Sequence, residues 1–322
     1  RLGTLLFCSL LLFPCLCGSQ ILRREDNETM QEIAHTWLNP SNWHGEDPCK
    51  WSGVMCGKVR DGGTAFSVIS ISVRGVCRGF SDETIHTCSI PPSIGNLQHL
   101  QHIYLNGNDF RGNIPVSVCS LKHLKTLYLN ANQLEGSIPE GIGNLKNLEK
   151  LYLNNNLLTG RIPISIGNLV NLQQLELQNN ELVGEIPIEI SKLTQLVQLD
   201  LNENELEGTI PPELSFLGSL HRLHLGGNML QGEVPERLLG PLAPPGLTWL
   251  DLSNNRLTGA LPLGVCEMRN LAVFRAEGND FLGGSPRCEP DHGPHSDEEN
   301  RRACRAKMRS FCVALPQAHG EL

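Results

Sequence analysis

A single phrase recurs along this chain, and one copy of it reads Leu148-x-x-Leu151-x-Leu153-x-x-Asn156-x-Leu158-x-Gly160-x-Ile162-Pro163-x-x-Ile166-Gly167-Asn168-Leu169. The asparagine of the phrase returns every 24 residues, apart from one interval of 27 residues between Asn228 and Asn255. The copies are marked by Asn108, Asn132, Asn156, Asn180, Asn204, Asn228, Asn255 and Asn279. These eight copies cover residues 97–286, and a period of this length indicates a protein built by stacking similar units.

Each part of the phrase has a physical role in such a unit. Leu151 and Leu153 alternate with polar neighbours, which is the pattern of a strand with one buried face. Stacked copies would pair these strands into one parallel sheet, because a single unit cannot bury its own apolar side. Asn156, at the end of the strand, can hydrogen-bond buried backbone groups of its own turn and of the next unit. Gly160 permits a tight bend, and Pro163 suits a corner that donates no backbone hydrogen bond.

A second segment precedes the repeats and reads Trp43-His44-Gly45-Glu46-Asp47-Pro48-Cys49-Lys50-Trp51-Ser52-Gly53-Val54-Met55-Cys56. This segment and the repeated phrase, LxxLxxLxLxxNxLxGxIPxxIGNLxx, resemble the plant-type leucine-rich repeats of receptor-like kinases, receptor-like proteins and polygalacturonase-inhibiting proteins. Together they span residues 27–286. The resemblance implies an α/β solenoid, a right-handed superhelix with a parallel concave β-sheet. It also implies an N-terminal helical cap closed by a disulfide between Cys49 and Cys56.

The sequence predicts five segments with different roles. They are a signal peptide (1–19), an N-terminal cap (20–66), a degenerate first repeat with a cysteine insert (67–96), eight repeats (97–286), and a C-terminal cap and tail (287–322). The cap at the C-terminus does not match the family's usual one. A Pro-rich insertion at residues 241–245 is expected to replace the convex turn of the seventh repeat by an extended bulge.

Several features predict a secreted, extracellular chain. The apolar run from Leu5 to Phe13 is too short for a membrane span, and small residues near Ser19 suit signal-peptide cleavage. No later stretch reaches the ~18 apolar residues of a membrane helix, so we expect the mature chain to be released rather than anchored. The sequon Asn27-Glu28-Thr29 is a predicted glycosylation site.

Nine cysteines follow the predicted signal peptide. Cys77 and Cys88 are expected to staple the insert of the first repeat. Cys119 and Cys266 hold equivalent positions six units apart, on the order of 29 Å at ~4.8 Å per strand, whereas a disulfide needs Cα atoms within ~7 Å. These two are predicted to be buried thiols that replace the small residue seen as Gly143. Two of the last three cysteines should pair, and the pair is left open between Cys288–Cys304 and Cys288–Cys312.

The composition and the motifs argue against several functions. The chain has 34 acidic and 26 basic side chains, and its net charge of −8 disfavours nucleic acid as a partner. No nucleophile–base set, phosphate-binding loop or zinc-protease motif is found, so we expect a non-enzyme with no catalytic residue and no cofactor. Asp291, His292 and His295 are interpreted as part of a solvated Pro- and Gly-rich loop, not as a metal site.

A concave sheet would present one row of outward side chains at each strand position. The row between the two strand leucines begins with the only three tyrosines of the chain. Its neighbours should lie ~4.8 Å apart, so the tyrosines should form a ladder suited to recognition. A following row is rich in amides, and the C-terminal half of the face is charged. The predicted ligand-binding residues are Tyr104, Tyr128, Tyr152, Lys150, Glu176, Asp200, Arg222, His224, Trp249 and Asp251.

These rows and the resemblance favour an extracellular recognition module that binds a peptide, protein or oligosaccharide. It would act as a secreted receptor-like protein or as an inhibitor of a wall-degrading enzyme. For any single residue of the rows, a role in sheet packing alone is the alternative. Two other functions stay open: a structural or adhesive wall or matrix protein, and a receptor-kinase ectodomain that has lost its membrane helix and kinase. The sequence does not predict the oligomeric state.

Overall fold

The computed structural model describes residues 22–37, 43, 45–59, 65–75, 88–262, 264–265, 268 and 270–281. Within these ranges the chain winds into a solenoid, and one turn of the solenoid is termed a coil. A typical coil has a concave strand, a second strand on its flank and a 3₁₀ turn on its convex side. The predicted signal peptide, Cys77, Cys266 and residues 287–322 lie outside the described residues.

The N-terminal cap is one helix followed by two antiparallel strands. They are α1 (Arg24–Thr36), β1 (Val54–Lys58) and β2 (Phe66–Ser72). Helix α1 buries Met30 and Ile33 on one face. On the same face Asp26 accepts a hydrogen bond of 2.7 Å from the Val68 backbone N–H, which ties the helix to β2.

Aromatic rings join this cap to the first repeat. Trp43 stacks on Trp51 with 5.1 Å between ring centroids, and its ring lies 5.6 Å from that of Trp37. Trp37 in turn packs against Phe110 of the first full coil at 5.2 Å. All four rings are nearly inaccessible to solvent, so the cap seals the apolar end of the stacked repeats.

The concave side is a ten-stranded sheet in which β1 is antiparallel and the remaining strands are parallel. After β2 its strands are β3 (His102–Tyr104), β5 (Thr126–Tyr128), β7 (Lys150–Tyr152), β9 (Gln174–Glu176), β11 (Gln198–Asp200), β13 (Arg222–His224), β15 (Trp249–Asp251) and β17 (Val273–Arg275). The central residue of each parallel strand, such as Leu151, points into the core. The predicted solenoid with a parallel concave sheet is confirmed.

A second parallel sheet, which the sequence did not predict, runs along the flank. It contains five strands, β4 (Arg111–Asn113), β6 (Gln133–Ser137), β8 (Leu157–Arg161), β10 (Glu181–Glu185) and β12 (Glu205–Glu207). Further along the flank, β14 (Gln231–Glu233) and β16 (Arg256–Thr258) form a separate two-stranded parallel sheet. Gly160, expected only to bend the chain, has a φ of 75° inside β8. Its missing side chain lets this strand turn sharply while it stays paired.

The convex side is made of 3₁₀ turns. They are Pro92–Asn96, Val116–Ser120, Glu140–Asn144, Ile164–Asn168, Ile188–Lys192, Pro212–Phe216 and Glu236–Leu238. The last of them precedes the Pro-rich insertion and is shorter than the others. The prediction that the insertion replaces this turn was therefore wrong, since the turn is shortened and kept.

The asparagine of each repeat forms an interior ladder. Asn156 Nδ2 donates to Leu153 O at 2.9 Å and to Leu129 O at 3.0 Å, and Asn156 Oδ1 accepts from Leu134 N at 3.0 Å. Leu129 and Leu134 belong to the preceding coil, not to the next one as expected. The same three bonds recur at Asn132, Asn180, Asn204, Asn228, Asn255 and Asn279.

Asn156→Ala is expected to lower the free energy of unfolding by roughly 3 kcal/mol, because three buried backbone groups lose their partner. Asn155→Ala is the matched control. Asn155 is exposed with a φ of 56°, and the equivalent residue one coil earlier is Ala131, also with a φ of 56°. The control should cost about 1 kcal/mol or less. Urea unfolding of both variants tests this, and equal losses would contradict a structural role for the ladder.

The described cysteines agree with the predictions that can be checked. Cys49 and Cys56 form a disulfide with 5.6 Å between their Cα atoms. Cys88 is also disulfide-bonded, and its pairing with Cys77 stays a prediction because Cys77 is not among the described residues. Cys119 is a buried free thiol, and burial raises its pKa to about 11. A thiol with such a pKa is protonated and unreactive at neutral pH.

The Cys119 side chain fills a space between two coils that elsewhere, as at Gly143 and Ser165, is filled by the side chain of the following coil. A Cβ atom built on Gly143 would lie 2.9 Å from Ser165 Cβ, so a glycine there makes room for the following coil. Between Cys119 and Gly141 the roles are reversed, since a Cβ atom on Gly141 would lie 2.9 Å from Cys119 Cβ. One large and one small residue therefore share each of these contacts.

Gly141→Ser alone is expected to lower the free energy of unfolding by about 1–3 kcal/mol through overpacking. The double variant Cys119→Gly/Gly141→Ser restores the glycine–serine order of the neighbouring contact and should recover most of that loss. A double-mutant cycle measured by urea unfolding checks this coupling. Additive losses in the double variant would show that the two positions do not share one space.

Candidate ligand-binding surface

The strand register brings the predicted residues together on the concave face. Cα pairing runs without a break from Tyr104 to Arg275. The central row is defined as Tyr104, Tyr128, Tyr152, Glu176, Asp200, His224, Asp251 and Arg275. Lys150, Arg222 and Trp249 lie in the adjacent row, at the first residue of their strands. All ten predicted residues thus share one surface.

The tyrosine half of this surface consists of Tyr104, Tyr128 and Tyr152. Tyr128 and Tyr152 stack in parallel, with 4.2 Å between ring centroids and an angle of 2° between ring planes. Tyr104 meets Tyr128 edge-on, at 5.2 Å and 78°. The Tyr152 hydroxyl donates to Gln174 Oε1, and burial raises the pKa of this hydroxyl. The Tyr152 phenol is therefore uncharged at neutral pH.

Amide side chains form a third row beside the tyrosines. Its members are Asn106, Asn130, Asn154, Gln178 and Asn202. The side-chain oxygens of Asn130, Asn154 and Gln178 are buried and have no hydrogen-bond partner within the described part of the chain. Because these oxygens are shielded from solvent in this conformation, an incoming N–H group reaches them only after the amide side chains rotate.

The charged half consists of Glu176, Asp200, His224, Asp251 and Arg275, together with Arg222 and Trp249. His224 Nδ1 lies 3.1 Å from Asp200 Oδ2, so the imidazole donates to this carboxylate. Gln198 Nε2 donates to Glu176 Oε1 at 3.2 Å. Burial raises the pKa of the Glu176 carboxyl, and the nearby Asp200 carboxylate adds to this effect, whereas a hydrogen bond with Gln178 opposes it.

Trp249 is the centre of the charged half. Its ring lies 5.4 Å from the His224 ring, and the Arg275 guanidinium carbon lies 5.7 Å from its centroid. Arg275 Nη1 is also 3.7 Å from Asp251 Oδ2. A cation over an indole face and an ion pair hold this group together.

Two carboxylates of the charged half are less exposed than their place in the rows indicates. Asp200 and Asp251 are only 7% and 6% exposed. Asp251 Oδ1 accepts from the Ser253 hydroxyl and backbone N–H, at 2.6 and 3.0 Å. In this conformation Asp200 therefore positions His224, and Asp251 positions Ser253 and Arg275. Arg275 and Gln174, which were not predicted as site residues, complete the surface.

Glu176→Gln is expected to raise the free energy of unfolding at neutral pH. Because the pKa of Glu176 is raised in the folded chain, the fold binds this proton more tightly than the unfolded chain does. The stabilisation of the fold by this bound proton is fully present below the ordinary pKa of glutamate and is lost as the pH rises through the folded-state pKa. Urea unfolding from acidic to neutral pH should show the variant's advantage growing, and a pH-independent difference would contradict burial as the cause.

Other predicted sites have less support in the geometry. Asn27 lies half-buried in α1 and Thr29 is buried, so glycosylation at this sequon stays a prediction. Within the described ranges, His, Cys, Asp and Glu residues form no group of three or more that could hold a metal ion. Nor do these ranges contain a helix with the length and apolar character of a membrane span. Asp291, His292 and His295 lie outside them.

Sequence profiles identify the repeats and the cap. A leucine-rich-repeat N-terminal domain matches residues 26–57, a leucine-rich-repeat region matches residues 80–159, and single leucine-rich repeats match residues 171–193, 195–217 and 246–268. The matched stretches make up more than half of the chain. The chain belongs to the leucine-rich-repeat family. No curated protein sequence matches it.

Solved structures of several leucine-rich-repeat proteins are similar to this one. The structure of PEPR1–AtPEP1 is 31% identical, with a TM-score of 0.68, over 82% of this chain and 36% of that chain. The ectodomain of the Arabidopsis thaliana receptor kinase GASSHO1/SCHENGEN3, in complex with CASPARIAN STRIP INTEGRITY FACTOR 2, is 32% identical, with a TM-score of 0.62, over 79% and 32%. A plant ice-binding protein is 27% identical, with a TM-score of 0.61, over 82% and 89%.

This leucine-rich-repeat chain spans about a third of the length of the first two of these chains, 36% and 32%. These similarities agree with the leucine-rich-repeat solenoid described above.

Proposed function

We propose that this chain is an extracellular recognition module that captures an extended peptide or protein segment along its concave face. The observation that carries the proposal is the continuous strip in which a tyrosine–amide half passes into a charged half. A ligand lying across the strands would meet both halves in turn. The ectodomain of GASSHO1/SCHENGEN3, solved with a bound factor, supports a binding role for such a solenoid.

The tyrosine half suits a peptide backbone. The unpartnered oxygens of Asn130, Asn154 and Gln178 are hydrogen-bond acceptors, and a peptide offers one N–H donor per residue. Once the amide side chains rotate to expose these oxygens, a ligand N–H would satisfy acceptors that have no partner within the described structure. The tyrosine rings add apolar area with a polar tip, a combination enriched in binding surfaces.

The charged half would select the ligand's side chains. Arg222 and Arg275 are exposed, whereas Asp200 and Asp251 are buried beside them. The exposed charged groups of this half are therefore the two arginines, and a guanidinium pairs well with a carboxylate of a ligand segment. Trp249 offers an aromatic anchor between the two arginines.

An oligosaccharide fits this surface less well than a peptide. Sugar rings stack on the open faces of aromatic side chains, but Tyr128 and Tyr152 turn their faces towards each other at 4.2 Å. Stacking therefore closes one face of each ring to a sugar, and the Tyr152 hydroxyl already donates to Gln174 Oε1.

The extracellular location rests on features of the N-terminal part. The Cys49–Cys56 disulfide favours an oxidising compartment. The predicted signal peptide at residues 1–19 and glycan at Asn27 agree with it. Within this proposal the chain acts as a secreted receptor-like or inhibitor-like protein. A structural or adhesive role and an origin as part of a receptor-kinase ectodomain remain the alternatives.

Selection from a random-peptide display library against residues 20–322 tests the proposal. We expect enriched peptides that compete with one another for a single site and lose binding when the concave face is altered. Ile164→Ser, on the convex face where Ile164 is 67% exposed, is the matched control and should bind normally. The proposal would be refuted if the enriched peptides bound a variant with Tyr104, Tyr128 and Tyr152 replaced by alanine as tightly as they bind the wild type. Inhibition assays with pectin-degrading enzymes would separate an inhibitor from a receptor.

Ice binding is a second candidate, favoured by the similarity to the plant ice-binding protein over most of both chains. A surface that matches a crystal needs one side-chain type repeated on a flat face. The central row instead changes from tyrosine to glutamate, aspartate, histidine and arginine, and for this reason we rank ice binding second. Thermal hysteresis above that of a control protein would reverse the ranking.

A further inference from the structure

The stacked pair Tyr128–Tyr152 has a geometry that the recognition role does not require. Its ring planes are 2° from parallel and its centroids are 4.2 Å apart, so the two phenol rings overlap closely. The residues are directly paired in adjacent parallel strands, and the neighbouring Leu127 and Leu151 are fully buried. The backbone therefore holds the two phenols together before any reaction takes place.

We propose that Tyr128 and Tyr152 form an oxidative cross-linking site, where one-electron oxidation joins an ortho ring carbon of each phenol into dityrosine. The co-substrate class is hydrogen peroxide used by a haem peroxidase, or another one-electron oxidant. This inference does not depend on the identity of the concave-face ligand.

The reaction balances in electrons and atoms. Each phenol loses one electron and its hydroxyl proton, and the two phenoxyl radicals form a carbon–carbon bond between their ortho carbons. The hydrogen on each joined carbon then moves to the phenol oxygen, which restores both aromatic rings and both hydroxyls. The pair loses two hydrogen atoms in total, and one hydrogen peroxide is reduced to two waters.

The geometry also predicts which pair reacts. Tyr104 and Tyr128 are neighbours in the same row, but their rings meet edge-on at 78° with centroids 5.2 Å apart. The stacked pair presents the π faces of both rings to each other, so their ortho carbons can bond first and the ring planes turn as the rings rearomatise, whereas the edge-on pair lacks this face-to-face contact. The three tyrosines are the only ones in the chain, so each possible intramolecular product can be identified.

Access is compatible with the reaction. Both Tyr128 and Tyr152 are half-buried, so part of each side chain reaches solvent. The Tyr152 hydroxyl already donates to Gln174 Oε1, and this bond keeps the ring in its stacked position. A cross-link would tie two adjacent coils together and fix the shape of the tyrosine half, which would make this part of the concave face responsive to oxidants.

The test treats dilute folded chain with haem peroxidase and hydrogen peroxide, and in parallel with photoactivated tris(bipyridine)ruthenium and persulfate. We expect dityrosine fluorescence in a monomeric product that has lost two hydrogen atoms. Trypsin places Tyr104, Tyr128 and Tyr152 on separate peptides, covering residues 79–111, 126–146 and 151–161. Mass spectrometry should find the second peptide joined to the third.

Phenylalanine variants give matched controls, because they keep the ring and remove the reactive phenol. Tyr128→Phe and Tyr152→Phe should lower the emission to that of untreated protein, and Tyr104→Phe should leave it unchanged. The proposal is overturned if the first two peptides are joined instead, or if cross-links form only between chains. It is also overturned if neither oxidant yields dityrosine from chain whose fold is intact by circular dichroism.

Discussion

Gly53→Ala is expected to lower the free energy of unfolding by at least ~4 kcal/mol, a very large loss for the addition of one methyl group. Gly53 has a φ of 82°, and a Cβ atom built on it would lie 1.8 Å from the Ser72 backbone oxygen. The Gly53 oxygen also accepts a hydrogen bond of 2.7 Å from Ser72 N. An alanine would therefore push β1 away from β2 and open the cap.

Gly75→Ala separates the steric clash from the backbone strain. Gly75 has a similar φ of 71°, but a Cβ atom there would meet nothing within 4 Å. This control should cost only the ~1–2 kcal/mol of a left-handed non-glycine residue. Urea unfolding measures both losses, and faster reduction of the Cys49–Cys56 disulfide should accompany the first. Equal losses in the two variants would show that closure of the cap does not limit stability.

The repeat and the concave register could be predicted from the sequence because they depend on spacing. Leu151 and Leu153 mark a strand with one buried face, and a fixed period places equivalent residues on neighbouring strands. The rows from Tyr104 to Arg275 follow directly, as the observed pairing shows. The disulfide at Cys49 was predicted from the resemblance of the cap.

The flank sheet was missed because its strands carry no alternation of their own. Residues 157–161 contain one buried leucine, Leu158, and one glycine, so the pattern indicates a bend as well as it indicates a strand. Pairing arises only when several coils stack and bring these short segments side by side. The exchange of size between Cys119 and Gly141 has the same origin, since it depends on a contact between coils that no single repeat contains.

The membership of the candidate surface was predictable, but the exposure of its members was not. Asp200 and Asp251 lie in an outward row, yet their neighbours bury them through hydrogen bonds to His224 and Ser253. Row position fixes where a Cα atom lies and leaves the side-chain conformation open. Arg275 was overlooked as a site residue because its role depends on the ring of Trp249.

The tyrosine half should dominate ligand capture. Replacing Tyr104, Tyr128 and Tyr152 together by alanine is expected to weaken binding of library-selected peptides by about 100-fold or more, as for aromatic anchors at the centre of an interface. Each lost ring contact also costs about 0.5–1.5 kcal/mol of stability. The triple phenylalanine variant keeps the ring contacts and avoids that loss of stability. Any decrease in its peptide affinity, measured by isothermal titration calorimetry, is therefore due to the loss of the hydroxyl groups.

Trp249→Ala decides whether one ligand spans both halves. It removes the ring that contacts His224 and Arg275, so a peptide lying along the whole strip should bind this variant and the tyrosine variants more weakly than wild type. A peptide confined to one half would respond to only one of the two changes. Truncating the selected peptide from either end should then abolish its sensitivity to one half at a time. If every truncated peptide kept its sensitivity to both halves, the two would act through a shared change in the sheet, and the ligand would not be extended along it.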